Sequence, residues 1–194
     1  EERETVVAIS ELIEYYKGIF TTLSSCASRQ LEEVTFRRAT ISVPELMATA
    51  GKYFRKVYKG NKAHIDFKIQ PLEGRITGDW NQLRFLLENL IDEACSVTLD
   101  GAVCLSARED GEFIRFLFTD MRREKTREEL NQLFYPDLSR MTAGEKGELY
   151  GTEYLVCKQI IRDHDEFAGR RGCRINAEPG KEGGFTIYFT LPKK

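Results

Sequence analysis

The strongest constraint on this chain is the run from Leu83 to Ala94. Apolar residues fall at Leu83, Leu86, Leu87, Leu90, Ile91 and Ala94. That spacing puts them on one face of an α-helix. A stripe of this length has to be buried, so the helix must lie on a sheet or on other helices. Asp79 ahead of Trp80 is a helix-start signal, with Gln82 as its capping-box partner. Asn89 and Glu93 stand four apart and form a polar file on a neighbouring face. Such a helix can anchor in a core and border a ligand cavity at the same time.

Composition narrows the class. With 194 residues, 41% of them hydrophobic, there is material for one core and an appended helical element. A formal net charge of -2, with 31% charged residues of both signs, gives no pull toward nucleic acid or a membrane surface. No apolar run is long enough to cross a bilayer, and no secretory signal pattern is present. The five cysteines are scattered without a C-x-x-C pair, which argues against a disulfide framework or zinc site and for a reducing, cytoplasmic setting. The chain opens on Glu1-Glu2-Arg3 rather than Met, and we read it as a fragment of a longer protein.

From residue 3 to about 37 there is no proline and only Gly18. Ile9, Leu12, Ile13, Tyr16, Ile19 and Leu23 keep helical spacing. Residues 1–38 therefore read as one long helix, or two broken near Gly18, in search of a partner helix. Residues 39–194 read as a separate domain. Residues 40–43 form a short strand or link, and Pro44 sits in the first turn of a helix reaching Gly60. Strands are expected over 63–69 and 75–78, then the helix from Asp79. Strands over 102–108 and 113–119 flank Asp110-Gly111, a hairpin signal. A short helix over 127–134 is followed by a polar loop over 137–149, which holds Gly144 and Gly147. A helix over 152–166 and strands over 173–177 and 185–191 complete the order. This succession predicts an α+β two-layer sandwich, helices on one face of a mixed, mostly antiparallel sheet.

The segment from Asp79 to Ala94 resembles the N-box of the sensor histidine kinases, whose ATPase domain is of the GHKL type. There an Asn-containing helix supplies side chains to magnesium and the ATP phosphates. Asn89 matches the first Asn of that motif; Glu93 takes the place of the second, the metal ligand, and Ser96 replaces a basic residue. A carboxylate at 93 can hold magnesium, or it can be a solvated or capping acid at the open edge of the helix. Phe116-Leu117-Phe118-Thr119-Asp120 resembles the strand ending in the G1 box. There the aspartate accepts a hydrogen bond from the adenine amino group. Arg122 stands where the first glycine should be and should crowd the adenine. Asp120 can equally end a strand and cap a turn. Leu133-Phe134-Tyr135-Pro136 resembles the F-box, where the phenylalanine is a packing residue. The stretch from Gly147 to Lys158 resembles the G2 box, whose glycines let backbone N–H groups cradle phosphates. Gly147 and Gly151 remain, but Glu153 takes a glycine position and would repel a triphosphate. Gly180 to Pro192 resembles the closing strand of the family. His64 and His164 lie outside any H-box pattern and are assigned structural roles.

The resemblance implies ATP-site positions at Asn89, Glu93, Asp120, Gly147 and Gly151. Several departures line the same hollow. The reading is therefore a degenerate, non-catalytic histidine kinase-like ATPase domain, a pseudokinase of two-component signal transduction. It would act without a cofactor, as a homodimer through its N-terminal helix or by docking a response regulator or another kinase. The competing reading is a working kinase domain that binds ATP and magnesium through unorthodox boxes.

Overall fold

The computed structural model describes residues 36–59, 63–134 and 152–194, the side chains of Thr152 and Glu153 excepted. The bundle-like helix expected over 1–38 lies outside the described residues except at its end. There residues 36–38 are not helical and lead into β1 (Ala39–Ser42). Ser42 caps α1 (Val43–Tyr58), its hydroxyl accepting the Glu45 N–H at 3.4 Å, and Pro44 lies in the first turn. β2 (Ile65–Gln70) and β3 (Arg75–Gly78) precede α2 (Trp80–Cys95). β4 (Gly101–Asp110) and β5 (Phe113–Asp120) form the hairpin turned at Gly111-Glu112, and α3 (Arg127–Gln132) follows. α4 (Thr152–Phe167), β6 (Ile175–Pro179) and β7 (Phe185–Pro192) close the chain.

The sheet has five strands in the order β2-β4-β5-β7-β6. β2 runs parallel to β4, and every other neighbour is antiparallel. Of the two readings of residues 40–43, the strand holds as far as Ser42, because β3 gives it an antiparallel partner with Ala39 opposite Gly78, and Val43 already opens α1. Burial alternates along β5, as a half-covered sheet requires. Its inner residues, Ile114, Phe116 and Phe118, join one core with the apolar stripe of α2. All six stripe residues of α2 are at most 2% exposed, the five Leu and Ile side chains each contributing about 1.5–3 kcal/mol of burial and Ala94 less.

Asp79 is the N-cap of α2, accepting the N–H of Asn81 at 2.9 Å and of Gln82 at 3.1 Å. The expected capping box is not formed. Its return arm would need the Asp79 N–H, which is donated instead to His164 Nε2, and Gln82 Oε1 is buried without a hydrogen bond. A capping box does form at α3. The Thr126 hydroxyl accepts from Glu129 N–H at 3.2 Å, and Glu129 Oε2 accepts from Thr126 N–H at 2.6 Å. Thr126→Ala is expected to lower the unfolding free energy by about 1 kcal/mol. A shift in the urea midpoint at constant slope would register it.

Candidate functional site

The end of β5 is the centre of the candidate site. Asp120 belongs to the inward-facing residues of β5 and is 1% exposed. Past it the chain must leave the sheet, and Gly184 at the head of β7 permits this. Gly184 has φ +69°, and a β-carbon on it would stand 2.1 Å from the Asp120 carbonyl oxygen. The Met121 N–H still bonds Ala102 O at 3.0 Å. Arg122 and Arg123 therefore leave the strand end pointing back toward α2.

The Arg122 side chain is 0% exposed. Its Nε donates to Asp120 Oδ1 at 2.9 Å and its Nη2 to Asp120 Oδ2 at 2.7 Å, a bidentate fork. Nη2 also donates to Ala94 O at 2.7 Å, and Nη1 to Leu99 O at 3.1 Å. Those carbonyls lie in the last turn of α2 and just beyond it, where helix acceptors lack partners and a cation suits the dipole. Arg122 thus ties the end of β5 to the end of α2. The Arg122 backbone N–H also donates to Asp120 Oδ1 at 3.0 Å, which is the turn cap expected of that aspartate.

Arg123 completes the network. Its Nε reaches Asp120 Oδ2 at 2.9 Å, and its two terminal nitrogens meet Glu93 at 2.9 and 2.7 Å. Burial works against its charge. Hydrogen bonding to Glu93 and the charges of Glu93 and Asp120 outweigh that and raise its pKa further. The guanidinium also lies 5.3 Å over the Phe185 ring. Glu93 was expected to be a solvated or capping acid, or a metal ligand. The solvated reading is corrected: the side chain is 19% exposed and both oxygens are engaged by Arg123. Tyr154, 1% exposed, lies beside this pair with its hydroxyl outside normal hydrogen-bond geometry. Burial first, then the charge of Glu93, pushes its phenol well above the ordinary range.

The other expected positions are placed as follows. Asn89 Nδ2 donates to Phe85 O at 2.7 Å, so the amide serves its own helix. Ser96 donates to Glu93 O at 2.7 Å. Gly147, Gly151 and the side chain of Glu153 lie outside the described residues. The F-box pair Leu133 and Phe134 is buried, and Phe134 meets Tyr154 edge-on at 5.8 Å, the packing role expected of it. His64 is exposed, with its N–H donated to Asp100. The structure therefore brings Glu93 and Asp120 together through Arg123, while the Asn89 amide bonds within α2. Arg123 and Tyr154 were missed as site residues. The available signal was a double arginine, Arg122-Arg123, one residue beyond the strand-end Asp120. Among the described residues no cluster of three His, Cys, Asp or Glu side chains is arranged to hold a metal. No described helix is long and apolar enough to cross a membrane.

Residues 78–194 match the histidine kinase-, DNA gyrase B-, and HSP90-like ATPase family. The adaptive-response sensory kinase SasA of Thermosynechococcus vestitus is 26% identical over 177 residues. That match takes in 90% of this chain and 44% of SasA, so the chain spans less than half of this relative. The catalytic domain of histidine kinase ThkA, in a nucleotide-free form, is similar with a TM-score of 0.62 and 18% identity. It covers 81% of this chain and 96% of that domain. ThkA in complex with the response regulator protein TrrA gives a TM-score of 0.66 and 18% identity, covering 96% of this chain and 52% of that one.

Proposed function

Given that the chain belongs to the histidine kinase-, DNA gyrase B-, and HSP90-like ATPase family, we propose that it is a signalling relative whose nucleotide site is closed by its own arginines. It acts by dimerisation or partner docking rather than by phosphoryl transfer. One observation carries this reading. Both oxygens of Asp120, the expected adenine acceptor, are already taken by Arg122 and Arg123, and the Arg122 side chain is wholly buried. Arg122 offers Asp120 the kind of donor that an adenine amino group would offer. An adenine beside Asp120 does not fit unless Arg122 moves. On the phosphate side, Arg123 engages both oxygens of Glu93 and compensates the charge that would draw magnesium.

The partner class proposed is a response regulator, supported by the likeness to ThkA captured with one. Fold likeness alone does not carry function, so the nucleotide site itself is the place to test. Mg-ATP at a hundred-fold excess over a dissociation constant would stabilise the fold by about 2.7 kcal/mol. The expected result is no stabilisation of the native chain and no calorimetric heat of binding. Arg122→Gly combined with Glu153→Gly, titrated well below its unfolding midpoint, is expected to gain binding. Tight Mg-ATP binding by the native chain would establish the second reading, a working kinase domain. The retained Asp120 favours that reading if the Arg122 side chain swings out. Dimerisation through residues 1–38 is proposed with it; light scattering that finds a monomer both with and without that segment would remove it.

A further inference from the structure

Phe36 and Arg37 meet the rest of the domain around one buried imidazole. His164, near the C-terminal end of α4, is 0% exposed. Its Nε2 lies 3.0 Å from the Asp79 backbone nitrogen and its Nδ1 2.8 Å from Ile160 O. A backbone N–H only donates, so Nε2 accepts and the proton sits on Nδ1, donating to Ile160. The ring is therefore neutral in this arrangement. Asp79 then reaches the lead-in chain, its Oδ2 accepting the Arg37 N–H at 2.8 Å. The Phe36 ring meets His164 edge-on at 4.9 Å and Phe167 at 5.8 Å. On the opposite side Gly78 leaves no slack: a β-carbon there would stand 2.9 Å from the imidazole.

We propose that His164 is a proton-operated pin: neutral, it holds residues 36–38 against the N-terminus of α2, and protonated, it lets them go.

A second proton has to go on Nε2, which faces the Asp79 N–H. Two donors would then confront each other without water, and one must withdraw. The charged groups that act on the ring are Asp79 from the β3–α2 junction and Asp163 from α4; of the lead-in chain, the Phe36 ring meets it and Arg37 enters through its backbone N–H to Asp79. Thr77 and Gly78 of β3 bring no charge. The Asp79 carboxylate attracts an imidazolium, and a turn of the carboxylate toward the ring strains the three backbone N–H bonds that it accepts. Two of those cap α2, so the Arg37 N–H is the one to yield. Burial lowers the His164 pKa from its ordinary value, and the Ile160 hydrogen bond and the two carboxylates offset this only in part. The sign follows. Above about pH 6.5 both closed and released rings are neutral and the pin is fully effective; below it the released ring takes up the proton first. Release therefore gains up to about tenfold per pH unit as pH falls below 6.5.

Amide exchange by NMR between pH 8 and 5, corrected for the intrinsic pH dependence, tests this on the full chain. Protection of the Arg37 and Asp79 amides is expected to fall by up to about tenfold per unit below pH 6.5, while the core amide of Phe116 holds. In His164→Gln, whose amide oxygen accepts from Asp79 without titrating, the profile is expected to be flat. A flat profile in the native chain overturns the proposal. So does a pH dependence that survives in His164→Gln, which would assign it to Asp79 or another acid. Loss of Phe116 protection in step with Arg37 also overturns it, because that is acid unfolding of the whole domain.

Discussion

Replacing Arg122 by alanine is expected to cost about 3–5 kcal/mol of stability. The guanidinium and its carboxylate partner are 0% and 1% exposed. Such a pair is a weak net stabiliser when intact, since both ions were taken out of water. Removing one partner is different, because Asp120 is left buried with its charge met only by Arg123, which Glu93 shares. Asp120 would keep only the Arg123 Nε and one backbone N–H, and the carbonyls of Ala94 and Leu99 would lose their donor. The paired replacement Asp120→Leu with Arg122→Met removes both charges and is expected to cost far less than the single change. Urea unfolding followed through Trp80, the single tryptophan of the chain, reads both variants. A loss under about 1 kcal/mol for Arg122→Ala, the scale of an exposed pair, would mean that the arginine does not hold the end of β5 to α2.

Phe116→Ala is expected to match that loss, at about 3–5 kcal/mol, for a different reason. Phe116 is 0% exposed in the middle of β5 and stacks on Phe189 of β7, centroids 4.9 Å apart and planes 3° from parallel. Deleting the ring leaves a cavity between two paired strands, and paired strands cannot close up to fill it. Phe85, on α2 but 43% exposed, is the control. Phe85→Ala is expected to stay within about 0.5 kcal/mol of the native chain. Equal losses at the two positions would contradict the assignment of the sheet's inner face.

The two variants separate what can be read locally from what cannot. The stripe of α2, the hairpin at Asp110-Gly111 and the strands over 102–108 and 113–119 are written in residues a few positions apart. Helical and strand periods and turn chemistry act over that same distance, so these elements were legible in order. Arg122 was legible as an obstruction, since a long cation stood where the resembling family keeps glycine. Its destination was not. A guanidinium on a flexible stem binds whatever acceptors arrive within reach, and the carbonyls of Ala94 and Leu99 arrive only when β5 and α2 pack.

The same limit explains Glu93. Its spacing on α2 marked it as a polar edge residue, and thirty positions of intervening chain decided that the edge would be shut by Arg123. It explains the missing capping box at α2 as well, where His164, brought from the far end of α4, took the N–H that Gln82 was expected to hold. Sequence alone determined the elements from β1 onward and the sandwich they make, because local periods and burial specify those, and the family resemblance marked the candidate site. Tertiary structure alone decided which acceptors Arg122 and Arg123 reach and which group takes the Asp79 N–H, because ion pairs and buried hydrogen bonds between distant segments depend on register and packing, which no short stretch of chain contains.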